Sequence, residues 1–199
     1  MKRIKTGCVA LLTAAACAAA QSNVSDTHKY AWQESTGWTN WHDAGSPVGD
    51  RGVTIHPTYL TGSIWFENTG WLTVGRHPLN GTLHYPNLTG ADVGVNILAG
   101  GDLAGFAWGE NVGWVSFDTG SLGEKRARFD HSSCRFRGYA WGENIGWLNL
   151  DDASQYIGSA CYADCDLSCS LDVNDFSCFL NKFASGDSYA NCDGSSVSP

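Results

Sequence analysis

Along most of this chain apolar and polar residues alternate over very short stretches. Gly62-Ser63-Ile64, Gly105-Phe106-Ala107 and Gly138-Tyr139-Ala140 are β-prone pieces, as are Val115-Ser116-Phe117 and Leu148-Asn149-Leu150. A period of two places every other side chain on one face, the pattern of a half-buried strand. No long stretch between these pieces shows the 3.6-residue period of an amphipathic helix. That period appears only near the end, where Val173, Phe176, Leu180 and Phe183 recur at i, i+3, i+7 and i+10. The pattern predicts an all-β body over residues 21–158 followed by one helix.

A repeated heptad organises the body. Trp32-Gln33-Glu34-Ser35-Thr36-Gly37-Trp38, Trp65-Phe66-Glu67-Asn68-Thr69-Gly70-Trp71, Trp108-Gly109-Glu110-Asn111-Val112-Gly113-Trp114 and Trp141-Gly142-Glu143-Asn144-Ile145-Gly146-Trp147 all read W-x-E-[NS]-[TVI]-G-W. They use eight of the nine tryptophans, and their first tryptophans are 33, 43 and 33 positions apart. Between each Trp pair lies a turn rich in Asn and Gly, residues that tolerate positive φ. The expected unit is an antiparallel hairpin whose two indoles meet across the strands, a contact worth about 0.2–1 kcal/mol beyond burial. One hairpin is marginal in water; four together can enclose a core. The repeat resembles the AWGENIGW repeats of secreted or surface bacterial proteins. That resemblance implies a repeat architecture and an extracellular setting, and no reaction.

A tryptophan repeated in every unit reads first as the core residue of that unit, with a sugar-stacking platform as the alternative. Trp41, outside the motif, and Tyr85 are the freer candidates for carbohydrate contact. The glutamates Glu34, Glu67, Glu110 and Glu143 occupy one repeated turn position. Glycoside hydrolysis needs two carboxylates in different environments, so turn hydrogen bonding is expected of them and catalysis is not. The six histidines show no metalloprotease spacing, and no nucleophile elbow or phosphate loop occurs. The chain reads as a non-enzyme.

Charge changes the picture at the C-terminus. The 199 residues carry 12 Lys and Arg against 20 Asp and Glu. Eight of those acids are the aspartates of residues 151–199, opposed there by Lys182 alone. An acidic chain without basic clusters is a poor match for nucleic acid. Its acidic end suits a cation instead. At the other end, Lys2, Arg3 and Lys5 precede an apolar run from Cys8 to Ala16 and the small residues Ala18-Ala19-Ala20. This is the form of a secretory signal over residues 1–20, too short to span a bilayer. A lipoprotein reading through Cys17 is weaker, because Ala14 stands where Leu is expected. Six cysteines then remain: Cys134, Cys161, Cys165, Cys169, Cys178 and Cys192. In an exported chain they read as disulfides, ahead of a thiolate metal site.

From Asp164 to Asp175, oxygen-bearing side chains fall at positions 1, 3, 5, 7, 9 and 12 of a twelve-residue stretch. This is the ligand register of a calcium loop. Asp164, Asp166 and Ser168 would offer side-chain oxygens, and Ser170 its carbonyl. Asp172 would bind directly or through water, and Asp175 would close the cage. With the helix that follows, the segment resembles a Cys-rich type I dockerin, through Ala163-Asp164-Cys165-Asp166, Leu171-Asp172-Val173-Asn174-Asp175-Phe176 and Cys178-Phe179-Leu180-Asn181-Lys182-Phe183. The resemblance implies a half EF-hand that binds Ca2+ and docks onto a cohesin-like domain, with Val173 and Asn174 as recognition residues. Cys169 replaces the turn glycine and Ser168 the usual acid, which weakens the cage. A second copy begins at Tyr189-Ala190-Asn191-Cys192-Asp193 and meets Pro199 before a closing acid, so residues 159–199 read as an incomplete module. The expected protein is secreted or held at the cell surface, has no transmembrane segment and binds Ca2+ through its tail. The alternative is a carbohydrate-binding module that recognises polysaccharide.

Overall fold

A computed structural model describes residues 22–44, 52–87, 92–160 and 173–186. Two strands, β1 (Val24–Gln33) and β2 (Gly37–Asn40), open the chain. The next three are β3 (Val53–Ile55), β4 (Leu60–Phe66) and β5 (Gly70–Gly75). Then come β6 (Gly94–Ile97), β7 (Leu103–Gly109) and β8 (Gly113–Ser116). The short β9 (Arg128–Asp130) and β10 (Arg135–Arg137) precede β11 (Tyr139–Gly142), β12 (Gly146–Asn149) and β13 (Ile157–Ser159). The helix α1 spans Val173–Ser185. The signal-like residues 1–20 lie outside the described residues. So do Asp164, Asp166, Ser168, Ser170 and Asp172, and four of the six cysteines. Cys134 and Cys178 are both disulfide-bonded. No described helix is long and apolar enough to cross a membrane.

The mainly β reading holds, and its form is a closed antiparallel barrel. Around it run β1, β2, β4, β5, β7, β8, β11 and β12, and β12 pairs back onto β1. Each heptad joins two neighbouring strands, with Trp32 opposite Trp38, Trp65 opposite Trp71, Trp108 opposite Trp114 and Trp141 opposite Trp147. The junctions between these pairs share one register. Asn40 faces Trp65, Thr73 faces Trp108, Ser116 faces Trp141 and Asn149 faces Trp32. Every junction therefore advances the pairing by two residues. Four such steps give a stagger of about eight for eight strands, a ratio that tilts the strands by roughly 36° and leaves room inside only for side chains.

Three layers fill that interior. Ala31, Thr39, Ile64, Leu72, Ala107, Val115, Ala140 and Leu148, the inner neighbours of the tryptophans, are fully buried. Beneath them lie Trp41, Val74, Phe117 and Leu150, each three residues past the second Trp of its heptad and each fully buried. The third layer closes the turn end, and its volumes are complementary. Where the residue after the first Trp is large (Gln33, Phe66), the fifth position is Thr36 or Thr69. Where it is Gly109 or Gly142, the fifth position is Val112 or Ile145. A Cβ on Gly142 would lie 2.5 Å from Ile145 Cγ1, and one on Gly109 3.3 Å from the Val112 Cβ. Close packing of this kind leaves no space for an added methyl.

Two glycine positions are backbone requirements. Gly37, Gly70, Gly113 and Gly146 close their turns at φ of +78, +91, +80 and +80, a region costly to other residues. Gly62, Gly105 and Gly138, three residues before a first Trp, have φ of +95, +106 and +77. There a carbonyl of Gly52, Gly94 or Arg126 sits 1.8–2.2 Å from where a Cβ would stand. These contacts let β3 lie on β4 and β6 on β7. On the remaining side β13 extends β1, and β10 and β9 follow it.

Candidate functional site

The register that sends Ala31 and Thr39 inward sends the motif tryptophans outward. Trp32, Trp38, Trp108, Trp141 and Trp147 are about 40 % exposed, and Trp65, Trp71 and Trp114 are half-buried. This corrects the expectation that the repeated tryptophan is the core residue of its unit. The core is made by its inner neighbours, and the indoles form a belt around the barrel. Each pair packs edge to face or tilted, with ring centroids 4.6–5.0 Å apart. Offset and edge contacts of this sort favour the pair beyond its burial.

Both singled-out surface aromatics are corrected too. Trp41 is fully buried, because three residues past Trp38 is an inward position. Its ring lies 5.2 Å from Phe136 and 6.3 Å from Phe117, and its Nε1 donates to Thr39 Oγ1 at 3.1 Å. Tyr85 is only 6 % exposed and lies over the bare backbone of Gly94. Its hydroxyl donates to the Leu60 carbonyl at 2.7 Å, and burial pushes its ionisation well above the usual phenol range. Neither ring offers a stacking face to solvent.

The turns hold together through a different residue from the one expected. Glu34, Glu67, Glu110 and Glu143 are exposed, and among the described residues their carboxylates accept no hydrogen bond. The following position makes the contact instead. Asn68 Nδ2 donates to the Thr36 carbonyl at 3.1 Å, Asn111 Nδ2 to Thr69 at 3.0 Å and Asn144 Nδ2 to Val112 at 3.4 Å. Each clasp links one turn to the turn before it. In the first heptad, Ser35 replaces Asn and its hydroxyl reaches the Ile145 carbonyl at 3.2 Å. Gln33 reinforces that seam, donating Nε2 to the same carbonyl. Its Oε1 accepts from Ser35 N at 2.8 Å, Thr36 N at 2.6 Å and Thr36 Oγ1 at 2.8 Å. The ring of clasps is thereby complete.

Two open grooves lie between neighbouring Trp pairs. One, of about 390 Å³, runs along the β2–β4 junction and is lined by Tyr30, Trp38, Asn40, Trp65 and Glu67, with Thr39 and Gln155. The other, of about 410 Å³, runs along the β12–β1 junction. Its lining is Tyr139, Trp147, Asn149, Trp32 and Glu34, with Leu122 and Lys125. The first five residues of the two sets correspond one for one: the Tyr two before a first Trp, the second Trp, the Asn two after it, and the next heptad's first Trp and Glu. Both asparagines are oriented by backbone: Asn40 Oδ1 accepts from His42 N and Asn149 Oδ1 from Asp151 N, each at 2.9 Å. Such turns fix an Asx side chain. The tyrosines pack at right angles to the groove tryptophans, Tyr30 6.5 Å from Trp38 and Tyr139 6.4 Å from Trp147. Tyr30, Tyr139, Asn40 and Asn149 were missed by motif reading. Their signal was present as Y-A-W before and W-x-N after the first and fourth heptads, two residues outside the heptad itself.

Beside the first groove, charged groups pair with one another. Asn40 Nδ2 donates to Asp43 Oδ1 at 2.9 Å, and Lys29 Nζ bonds Asp43 Oδ2 at 2.8 Å. Burial would raise the Asp43 carboxyl, but these two donors hold it below the ordinary range. Asp26, His42 and Asp43 bring three potential ligand atoms together. The Lys29 ammonium already occupies Asp43, so a metal ion would have to displace it.

For the tail, only α1 and its flank can be placed. Asp175 is 5 % exposed in its first turn, whereas Val173, Phe176, Leu180 and Phe183 are exposed. Asn174 follows Val173 at the head of the same helix and is exposed. The other five expected calcium ligands lie outside the described residues. Comparison with protein-family models, with curated proteins and with solved structures finds no match to this chain.

Proposed function

We propose that this protein is an exported, non-catalytic carbohydrate-binding protein whose barrel, a four-unit hairpin repeat, grips glycan through its tryptophan belt. The observation that carries the reading is the recurrence of one Tyr-Trp-Asn-Trp-Glu groove at two junctions. A sugar ring offers an apolar C–H face and a polar rim. Indole and phenol rings suit the face, while Asn and Glu side chains suit hydroxyl groups. Volumes near 400 Å³ are ordinary for small-ligand sites. Each groove has one carboxylate among its described lining residues, where acid-base hydrolysis of a glycoside uses two. The belt also differs from the girdle of a membrane barrel. Asn40, Thr73, Ser116 and Asn149 follow the second tryptophans outward, where lipid would need an apolar band about 25 Å tall. Affinity electrophoresis through gels containing neutral polysaccharides tests the reading. Retardation by at least one of cellulose derivatives, xylan or β-glucan is expected, and a mobility unchanged in all of them overturns it.

A second reading concerns the tail, and the exposed apolar residues of α1 favour it. In this reading Asp164, Asp166, Ser168, Ser170, Asp172 and Asp175 bind Ca2+. The ion then props α1 so that Val173 and Asn174 dock onto a cohesin-like partner at the cell surface. Ca2+ should raise the helical circular dichroism of the protein, and Asp164→Ala or Asp175→Ala should remove the response. A spectrum indifferent to Ca2+ and chelator refutes it.

A further inference from the structure

We infer that the barrel carries two independent glycan sites facing different directions, and so cross-links glycan chains. The inference rests on the carbohydrate reading and adds valence and ligand class to it. The two grooves share no side chain: one uses Tyr30, Trp38, Asn40, Trp65 and Glu67, the other Tyr139, Trp147, Asn149, Trp32 and Glu34. They flank the β1–β2 hairpin on opposite sides. Four hairpins close the circle, so neighbouring junctions point about a quarter-turn apart around the barrel axis. The grooves meet only where Trp38 of one packs on Trp32 of the other at 4.9 Å, and a stiff sugar chain lying along one strand junction does not enter the next. Two chains are therefore held at once.

The other two junctions lack the full set. Ser63 and Thr73 stand where the first groove has Tyr30 and Asn40, and Phe106 and Ser116 stand there at the next junction. A valence of two, not four, follows. The linings also select the ligand class. Lys125 joins Glu34 in one groove, while the described lining of the other sets no cation beside Glu67. A charged sugar would suit one groove and not its twin, whereas a neutral sugar suits both. Rings with all hydroxyls equatorial, as in β-linked glucose, present flat C–H faces to indole. The ligand class is a neutral β-linked polysaccharide.

The test uses the full chain with cellohexaose in isothermal titration and hydroxyethylcellulose in a turbidity assay. Wild type should bind two hexasaccharides and turn the polymer solution cloudy. Trp65→Ala and Trp147→Ala should each leave one site, with affinity there unchanged within about twofold because the sites are separate, and abolish turbidity. The double variant should bind none. Tyr30→Phe and Glu34→Gln, which keep the packing, should weaken one site each and serve where a Trp variant fails to fold. A wild-type stoichiometry of one, or loss of all binding in either single variant, overturns the two-site inference and leaves the carbohydrate reading standing. Absence of heat with wild type also overturns the two-site inference for β-linked glucose, and the carbohydrate reading falls with it only if mobility is unchanged in every polysaccharide gel.

Discussion

Replacing Gln33 with leucine tests how the last strand is sealed to the first. Gln33 is 1 % exposed and sits where the fourth heptad meets the first. Its amide accepts the Thr36 N–H and hydroxyl and the Ser35 N–H, and donates to the Ile145 carbonyl. Leucine fills nearly the same volume and makes none of these bonds. The Ile145 carbonyl keeps the Ser35 hydroxyl at 3.2 Å, and Ser35 is exposed enough for its N–H to find water. The Thr36 N–H and hydroxyl lose their common acceptor inside the barrel. A buried polar group left unpaired costs about 1–3 kcal/mol, so the two cost about 2–4 kcal/mol once the added apolar burial is offset. For a domain of this size that lowers Tm by roughly 6–15 °C. Urea unfolding under oxidising conditions, followed by the fluorescence of the tryptophan belt, measures the loss directly. The m-value should stay constant, because the surface exposed on unfolding does not change. Thr36→Val should cost about 1 kcal/mol alone and little more in the Gln33→Leu background, since both remove the same bond. A Gln33→Leu midpoint within about 0.5 kcal/mol of wild type, the range of ordinary surface changes, refutes the claim that this amide holds the seam.

Three further outcomes are expected. Gly142→Ala drives a methyl to 2.5 Å from Ile145 Cγ1 and should cost about 1–3 kcal/mol in the same assay, with Ile145→Val restoring part of it. Gly120→Ala, which meets nothing closer than 4.0 Å, is the neutral control. Asn111→Ala removes an exposed clasp to the Thr69 carbonyl and should cost about 0.5–1 kcal/mol, less than Gln33→Leu because water replaces the lost partner. Acid should destabilise the barrel: hydroxyls of Ser133 and Ser132 and the nearby Arg137 hold the Asp130 carboxyl far below its ordinary value. A depressed carboxyl stabilises above its unfolded pKa, near 4, and loses that contribution as pH falls further. Unfolding midpoints between pH 6 and pH 3 should therefore decline below about pH 4, and Asp130→Asn should flatten the decline.

The cross-strand tryptophan contacts and the turn glycines could be read from the heptads, because both depend on neighbours within a few residues. The outward direction of the tryptophans could not. Spacing makes Trp32 and Ala31 face opposite ways, but which of them meets the core depends on how the sheet curls. Hydrophobicity favoured the indole, yet a barrel of eight strands has an interior that admits Ala31, Ala107 and Ala140 opposite Thr39, Val115 and Leu148 and leaves no place for eight indoles. Trp41 went wrong for the same reason. Standing outside the heptad suggested the surface, while counting three residues past an outward Trp38 puts it inside.

The amino-acid sequence by itself determined the mainly β character, the terminal helix, the tight turns and the identity of the repeated aromatic, all of which follow from local periodicity and backbone preference. Only the tertiary structure decided closure, and with it the rest. Pairing β12 to β1 closes the eight-strand ring and turns one face inward. It also sets Asn and Ser side chains against the preceding turn and brings Tyr, Trp and Asn from one heptad beside Trp and Glu of the next. Those grooves join residues from different parts of the chain, and no pattern along one segment can hold them together.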